Sequence, residues 1–239
     1  MNKLNFSVCV IILLLIKLKI PVSAGIFFYF YLMLIDAENI RKALSQKLPG
    51  AISHRKMLPL HRELIARPEE NNRIKHSSVL LLLFVEDSEL KACLIKRPGH
   101  MKHHAGQIAL PGGRIEKGET PLETALRETW EEIGITGDQI EILGSLSELY
   151  VQVSRFQIHP FVGWLGKIPE FKINKNEVEK TISFPVKMIE NSFDEVELNT
   201  ISGRVKVPCM LFEGEIIWGA TAMILSEFFD ALQQYHAIN

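Results

Sequence analysis

Three glutamates, Glu128, Glu131 and Glu132, have the spacing i, i+3 and i+4. In an α-helix this spacing brings three side chains onto one face, where like charges destabilise a bare helix by roughly 0.2–0.5 kcal/mol per pair. A divalent cation bound between the carboxylates would make their approach favourable. Carboxylate oxygens suit Mg²⁺ or Mn²⁺, which commonly complete their coordination with water and substrate phosphates. Taken alone, the cluster favours a solvated acidic helix face, and a metal site is the functional alternative.

A helix with clear ends is predicted to carry these glutamates. Thr120 can cap it, Pro121 suits its first position, and Glu123 closes a capping box. Gly134 supplies a stop. Apolar residues three and four apart predict the buried stripe, which consists of Leu122, Ala125, Leu126, Thr129 and Ile133.

Two neighbouring features favour the metal site over the solvated face. Arg127 can pair with Glu123 or Glu131, or with Glu119 before the helix, and so hold a carboxylate in position. Gly112 and Gly113 come before the helix, and glycine lets the backbone approach a ligand or a metal closely.

The stretch 113–135 resembles the Nudix box, G-x5-E-x7-R-E-U-x-E-E-x-G-U, in which U is a bulky apolar residue. Thr129, at the first U, is the one departure and concerns packing. The matching residues are Gly113, Glu119, Arg127, Glu128, Glu131, Glu132, Gly134 and Ile135.

This resemblance implies an α/β fold of the Nudix type: an α/β/α sandwich with a mixed β-sheet and a loop–helix–loop catalytic box. It implies metal ligation by Glu128, Glu131 and Glu132, with the Gly113 carbonyl as a further ligand. Arg127 would orient a glutamate and Glu119 would support the loop. The general base is either a box glutamate or Glu177 on a later loop, with Glu179 behind it; the alternative for this loop pair is a surface role.

The residues before the box resemble the signature of coenzyme A pyrophosphatases, L-L-T-x-R-(S/A)-x3-R-x3-G-x3-F-P-G-G. The matches include Arg97, Gly106 and Gly112, while Lys102 replaces arginine and keeps a cation without bidentate geometry. Coenzyme A carries a diphosphate and a 3′-phosphate, so cations beyond the metal are expected, and Arg97 and Lys102 can supply them. We therefore expect these four residues to bind substrate.

The resemblance thus implies hydrolysis of the diphosphate bond of coenzyme A or a derivative, giving 3′,5′-ADP and 4′-phosphopantetheine. Two alternatives stay open. The first is hydrolysis of another nucleoside diphosphate derivative, such as ADP-ribose or a dinucleotide. The second is a non-catalytic module that binds a ligand on a Nudix scaffold.

Composition adds limits. The 239-residue chain has a net charge of −1, so it has no general electrostatic footprint for nucleic acid. Cys93 and Cys209 lie in apolar runs and are expected to be buried thiols. A homodimer is an open alternative to a monomer.

Three segments are expected. Residues 1–35 are hydrophobic, and we expect translation to begin at Met33, with a membrane anchor second and a cleaved signal last. Residues 36–76 form a helix and an irregular arm containing His54, and residues 77–239 form the catalytic domain. Because coenzyme A is an intracellular metabolite, we expect a cytoplasmic protein.

Predicted strands and helices follow from periodicity. A hairpin is expected around Glu213 and Gly214, and a closing helix at 221–235. The other predicted strands span residues 77–85, 90–96, 140–149, 156–165 and 181–185.

Overall fold

A computed structural model describes residues 36–59, 64, 74–101, 104–200 and 203–238. The predictions for residues 1–35 and for Lys102 lie outside these residues. Within the described ranges, no helix combines the length and the apolar character needed to cross a membrane.

The core of the fold is a mixed β-sheet centred on a long, apolar strand, β1 (Lys75–Glu86). Its continuous run of leucines suits burial on both faces. The strand pairs in parallel with β7 (Phe156–Trp164) and antiparallel with β2 (Glu89–Lys96). The main strand order is β3-β2-β1-β7-β5, and β4, β6 and β8 pair with β1, β7 and β2. These strands are β3 (Ile108–Ala109), β4 (Gly112–Arg114), β5 (Glu141–Ser145), β6 (Leu149–Val151) and β8 (Lys180–Pro185).

Helices cover both faces of this sheet. Alternation along β1 sends Leu80 and Leu82 into a cluster with Ile133 of α3 (Pro121–Ile133). Leu81 and Leu83 enter a second cluster on the opposite face. That cluster includes residues of α1 (Ala37–Leu44) and α5 (Gly219–Ile238), and α2 (Ala51–Arg55) packs on α5. The predicted α/β/α sandwich with a mixed sheet is confirmed.

The structure differs from the predicted strands in two places. A second antiparallel sheet contains β9 (Phe193–Thr200), β10 (Gly203–Phe212) and β11 (Glu215–Trp218), and β9 was not predicted. Its sequence is rich in acidic and polar residues, and most of its described side chains are exposed, so pairing with β10 defines it more than burial does. The strand predicted at 140–149 divides into β5 and β6, with a register shift between Ile142 and Gly144. The short helix α4 (Met188–Asn191) precedes β9.

The irregular arm expected after residue 50 is wrong for residues 51–55, which form α2. His54 is only 3% exposed, and its Nε2 lies 2.9 Å from Glu227 Oε2 on α5. The other Glu227 oxygen accepts hydrogen bonds from the backbone amides of Gly50 and Ser147, both at 3.2 Å. His54 therefore joins α2 to the core, because a buried carboxylate satisfies its ring nitrogen.

Candidate active site

Helix α3 begins and ends where its sequence predicts. Thr120 Oγ1 accepts from the Glu123 amide, and the Glu123 carboxylate accepts from the Thr120 amide at 2.7 Å. Gly134 ends the helix with φ 75°. The buried face differs from the predicted stripe, since Thr124 and Glu132 are buried while Leu122 and Leu126 are half-buried. Strand β4 and the 171–178 loop pack on one face of this helix, and Glu132 lies on the face that they cover.

Two glycines let β4 approach both β1 and α3. Gly113 lies opposite Ser78 in the sheet. A Cβ added at Gly112 would lie 2.3 Å from the Ser78 carbonyl oxygen, and a Cβ added at Gly113 would lie 2.2 Å from Glu128 Oε1. The space beside Gly113 is therefore filled by the Glu128 carboxylate, and a side chain at this position would have to displace it.

Three carboxylates meet beside these glycines. Oxygens of Glu128, Glu132 and Glu177 all lie within 4.8 Å of one another. Glu128 and Glu132 come from α3, one helical turn apart, whereas Glu177 comes from the 171–178 loop. Asn174 helps to hold this loop in place. Its backbone N–H donates to the Glu132 carbonyl at 3.0 Å, and its side-chain Nδ2 donates to Glu177 Oε1 at 3.1 Å. Sequence reasoning gave Asn174 no role, although asparagine is a recognisable turn residue: its Oδ1 accepts from the Asn176 backbone amide, two residues on, at 3.2 Å.

The environments of Glu128 and Glu132 disfavour the charged forms of these two acids. Glu132 is 1% exposed, and burial raises its pKa to about 8, although the Gly112 amide donates to its Oε2 at 2.9 Å and Arg97 lies nearby. Burial also raises the pKa of Glu128. Oxygen donors this close together and partly desolvated fit a hard divalent cation, which would stabilise the charged forms that burial opposes.

Arg127 connects the other acids of the helix. Its Nε and Nη2 donate to the two oxygens of Glu119 at 2.6 and 3.1 Å, and its Nη1 lies 3.0 Å from both Glu128 Oε1 and Glu131 Oε2. The hydroxyl of Thr124 also donates to Glu119 at 2.7 Å. Arg127 and Thr124 lower the pKa of Glu119 to about 2. Arg127 therefore ties the loop before the helix to the helix, and Thr124 joins the site without having been predicted there.

Glu131 lies apart from the carboxylate cluster. Its side chain is 39% exposed and is held by Arg127. Within the described residues, the third carboxylate of the cluster is that of Glu177 and not that of Glu131. Glu179, the second loop acid, faces elsewhere, with a carboxylate oxygen 3.5 Å from Lys96 Nζ.

The residues expected to bind substrate occupy different places. Arg97 follows β2, and its Nη1 lies 3.5 Å from Glu132 Oε1, while its buried Nε has no hydrogen-bond partner in the described part of the chain. Gly106, with φ 69°, donates its amide to the Arg97 carbonyl and closes the loop. Gly112 gives its amide to Glu132, so in this structure it positions a carboxylate.

Comparison with known proteins finds a matching family model, similar sequences and similar structures. A family model described as the NUDIX domain matches residues 74–199. Nudix hydrolase 3 of Caenorhabditis elegans is 34% identical over 129 residues, which cover 53% of this chain and about half (52%) of that protein. The uncharacterized Nudix hydrolase NudL of Yersinia enterocolitica is 32% identical over 155 residues, covering 63% of this chain and 78% of that protein. Among solved structures, the MutT protein from Methanosarcina mazei aligns over 71% of this chain and 99% of that chain, with 19% identity and a TM-score of 0.45.

Proposed function

The chain belongs to the Nudix family, and on that premise we propose that it hydrolyses the diphosphate bond of coenzyme A or a derivative. The products would be 3′,5′-ADP and 4′-phosphopantetheine or its derivative. The observation that carries the proposal is the cluster of Glu128, Glu132 and Glu177, whose oxygens lie within 4.8 Å of one another. Family membership supports diphosphate hydrolysis, and the signature around Arg97 supports the choice of coenzyme A.

Glu128 and Glu132 would hold Mg²⁺ or Mn²⁺, and Glu177, whose carboxylate lies in the same cluster, would be left to act on water. When bound, the cation neutralises charge on the diphosphate and makes an attacking water more acidic. Arg127 keeps Glu128 in place through its Nη1, and the Gly112 amide keeps Glu132 in place through Oε2. Glu131 joins this assembly through Arg127 in our proposal, as a residue that helps to orient the guanidinium.

Glu177 is our candidate for the general base. Asn174 holds its Oε1, so the other carboxylate oxygen can accept a proton from water. The water oxygen then attacks one phosphorus, and the bond from that phosphorus to the bridging oxygen breaks. The bridging oxygen leaves on the second phosphate, and the water proton passes to Glu177. Glu119 acts through Arg127 and contacts no reacting atom.

Arg97 is suited to the substrate side of the cluster. Its guanidinium is partly exposed and already lies 3.5 Å from Glu132. Phosphate oxygens accept hydrogen bonds from guanidinium groups in a fork geometry, which a lysine cannot reproduce. We propose that Arg97 turns its donors to a substrate phosphate and that Lys102 and Gly106 also contribute to substrate binding.

The test is product analysis by mass spectrometry after incubation with coenzyme A and, separately, ADP-ribose, each with Mg²⁺ or Mn²⁺. The full chain is compared with Glu177→Gln and with the matched control Glu179→Gln, whose side chain pairs with Lys96 outside the cluster. We expect 3′,5′-ADP from coenzyme A. Glu177→Gln should lower kcat by about 10²–10⁴-fold, whereas Glu179→Gln should keep it within about threefold.

The other outcomes decide between the alternatives. Cleavage of ADP-ribose alone would retain a diphosphate hydrolase and discard coenzyme A as the substrate. Binding without turnover of either compound would support a ligand-binding module. Equal losses in the two variants would remove Glu177 as the base.

A further inference from the structure

A cleft of about 610 Å³ adjoins the carboxylate cluster at the carboxyl end of α3. Its lining includes Trp130 and Gly134 of the helix end, together with Lys172, Asn174 and Glu177 of the following loop. Glu177 belongs to both the cleft and the cluster. A molecule held at the cluster can therefore extend into the cleft, whose volume lies within the usual range for small-molecule sites.

Trp130 is the unusual side chain of this cleft. The residue is 54% exposed, although Thr129 before it is fully buried. Tryptophan has a large apolar surface that is usually well covered, and an exposed aromatic face beside a cleft can stack on a planar ring. The helix end fixes the position of this residue, because the Trp130 carbonyl accepts the Gly134 amide at 2.9 Å.

The opposite wall is also held firmly. The Lys172 amide donates to the Ile133 carbonyl at 2.9 Å, and a Cβ at Gly134 would lie 2.7 Å from the Lys172 Cβ. The glycine that ends α3 thus lets the loop approach closely and brings an exposed ammonium group to the cleft. A cation here offsets the negative end of the helix dipole, which would otherwise repel a phosphate.

We propose that this cleft binds the nucleobase of the diphosphate substrate, with Trp130 stacking on the base and Lys172 attracting a phosphate of the same nucleotide. This inference rests on the proposed function and adds to it the place of the base. A nucleotide complements both walls of the cleft, because its planar base can stack on the indole and its phosphate can pair with the ammonium group. Its diphosphate would lie on the Glu177 side.

The test measures binding by isothermal titration calorimetry to the full chain with Mg²⁺. The two probes are 3′,5′-ADP, which carries a base, and inorganic pyrophosphate, which has none. Loss of a base–aromatic stack corresponds to about 5- to 150-fold weaker binding. We expect that loss for 3′,5′-ADP in Trp130→Ala, with pyrophosphate binding unchanged. Trp130→Phe should stay within about fivefold of the unmodified chain, because it retains an aromatic face.

Ile52→Ala is the matched control, because Ile52 is an exposed apolar side chain on α2, outside the cleft. It should bind both probes as the unmodified chain does. Unchanged affinity of Trp130→Ala for 3′,5′-ADP would overturn the inference. Equal weakening for both probes would also overturn it, because the indole would then support the site as a whole.

Binding and turnover separate this inference from the proposed function. Base-dependent binding through Trp130 without hydrolysis of coenzyme A would keep the base site and overturn the reaction. Hydrolysis of coenzyme A with an unchanged KM in Trp130→Ala would keep the reaction and overturn the base site.

Discussion

Gly113→Ala should separate metal binding from folding. The new Cβ would lie 2.2 Å from Oε1, 2.3 Å from Cδ and 2.6 Å from Oε2 of Glu128. All three atoms belong to the end of a flexible side chain, so the carboxylate can move while β4 stays in the sheet. At Gly113 the backbone φ lies outside the left-handed region, so alanine adds no strain of its own.

The size of the effect follows from these distances. Ordinary contacts of a Cβ begin near 3.4 Å, so the carboxylate must retreat by about 1.2 Å, further than the ~1 Å displacement that can cost 10²-fold in rate. We expect kcat to fall about 10²-fold and Mn²⁺ affinity to fall at least about tenfold, or about 1.4 kcal/mol. Glu128 also loses its partly exposed bond to Arg127, which is worth about 1 kcal/mol or less. The melting temperature should therefore move by no more than about 4 °C.

The assay is Mn²⁺ titration followed by electron paramagnetic resonance, with thermal unfolding of the same samples and product analysis with coenzyme A. Gly166→Ala is the matched control, because no atom lies within 4 Å of its added Cβ. Wild-type Mn²⁺ affinity in Gly113→Ala would refute the assignment of Glu128 as a metal ligand. The same loss in Gly166→Ala would refute the steric argument.

Two further predictions concern stability. In Gly112→Ala the Cβ would meet backbone atoms of Ser78 and Val79 at 2.3 and 2.7 Å, with φ 152°. We expect a loss of about 2–6 kcal/mol, seen as a fall of roughly 5–20 °C in melting temperature; a fall as small as that of Gly113→Ala would contradict it. Glu119 has a folded pKa lowered to about 2 by Arg127 and Thr124, so its stabilising effect is present above its unfolded pKa and is lost as pH falls from about 4.5 to 2. Glu119→Gln should therefore flatten the pH dependence of thermal unfolding in that window, whereas Glu190→Gln, an exposed change on α4, should leave the slope as it is.

Local patterns predicted α3 well, together with the two glycines that approach it, because these signals lie close together in the sequence. The capping box of Thr120 and Glu123 and the stop at Gly134 depend only on adjacent residues, and the structure has all three. Sequence spacing could not say which acids would meet in space. Glu131 and Glu132 are adjacent on the helix, yet one turns to Arg127 and the other is buried under β4 and the 171–178 loop.

Tertiary contacts decided the remaining features. His54 was predicted in an irregular arm, and only its contact with Glu227, 173 residues away, explains its burial. Strand β9 carries few apolar residues, so its pairing with β10 could not be inferred from alternation. In the same way, the cleft beside Trp130 exists because Gly134 admits the Lys172 loop, which is a contact between segments far apart in sequence.

Arg127 explains how so many acids can share one short helix. Five donor contacts from one guanidinium reach Glu119, Glu128, Glu131 and the Arg114 carbonyl. Glu119, Glu128 and Glu131 thus share a protein cation, whereas the cation near Glu132 is Arg97, 3.5 Å away, and Glu132 is the acid whose pKa rises to about 8. Glu128, Glu132 and Glu177 still converge at one place, so in our proposal a divalent cation gains most there. In our proposal the same arginine that ties the helix to the preceding loop also favours this position for the metal, and this is why the match of Arg127 and Glu119 to the Nudix pattern matters as much as the match of the proposed ligands.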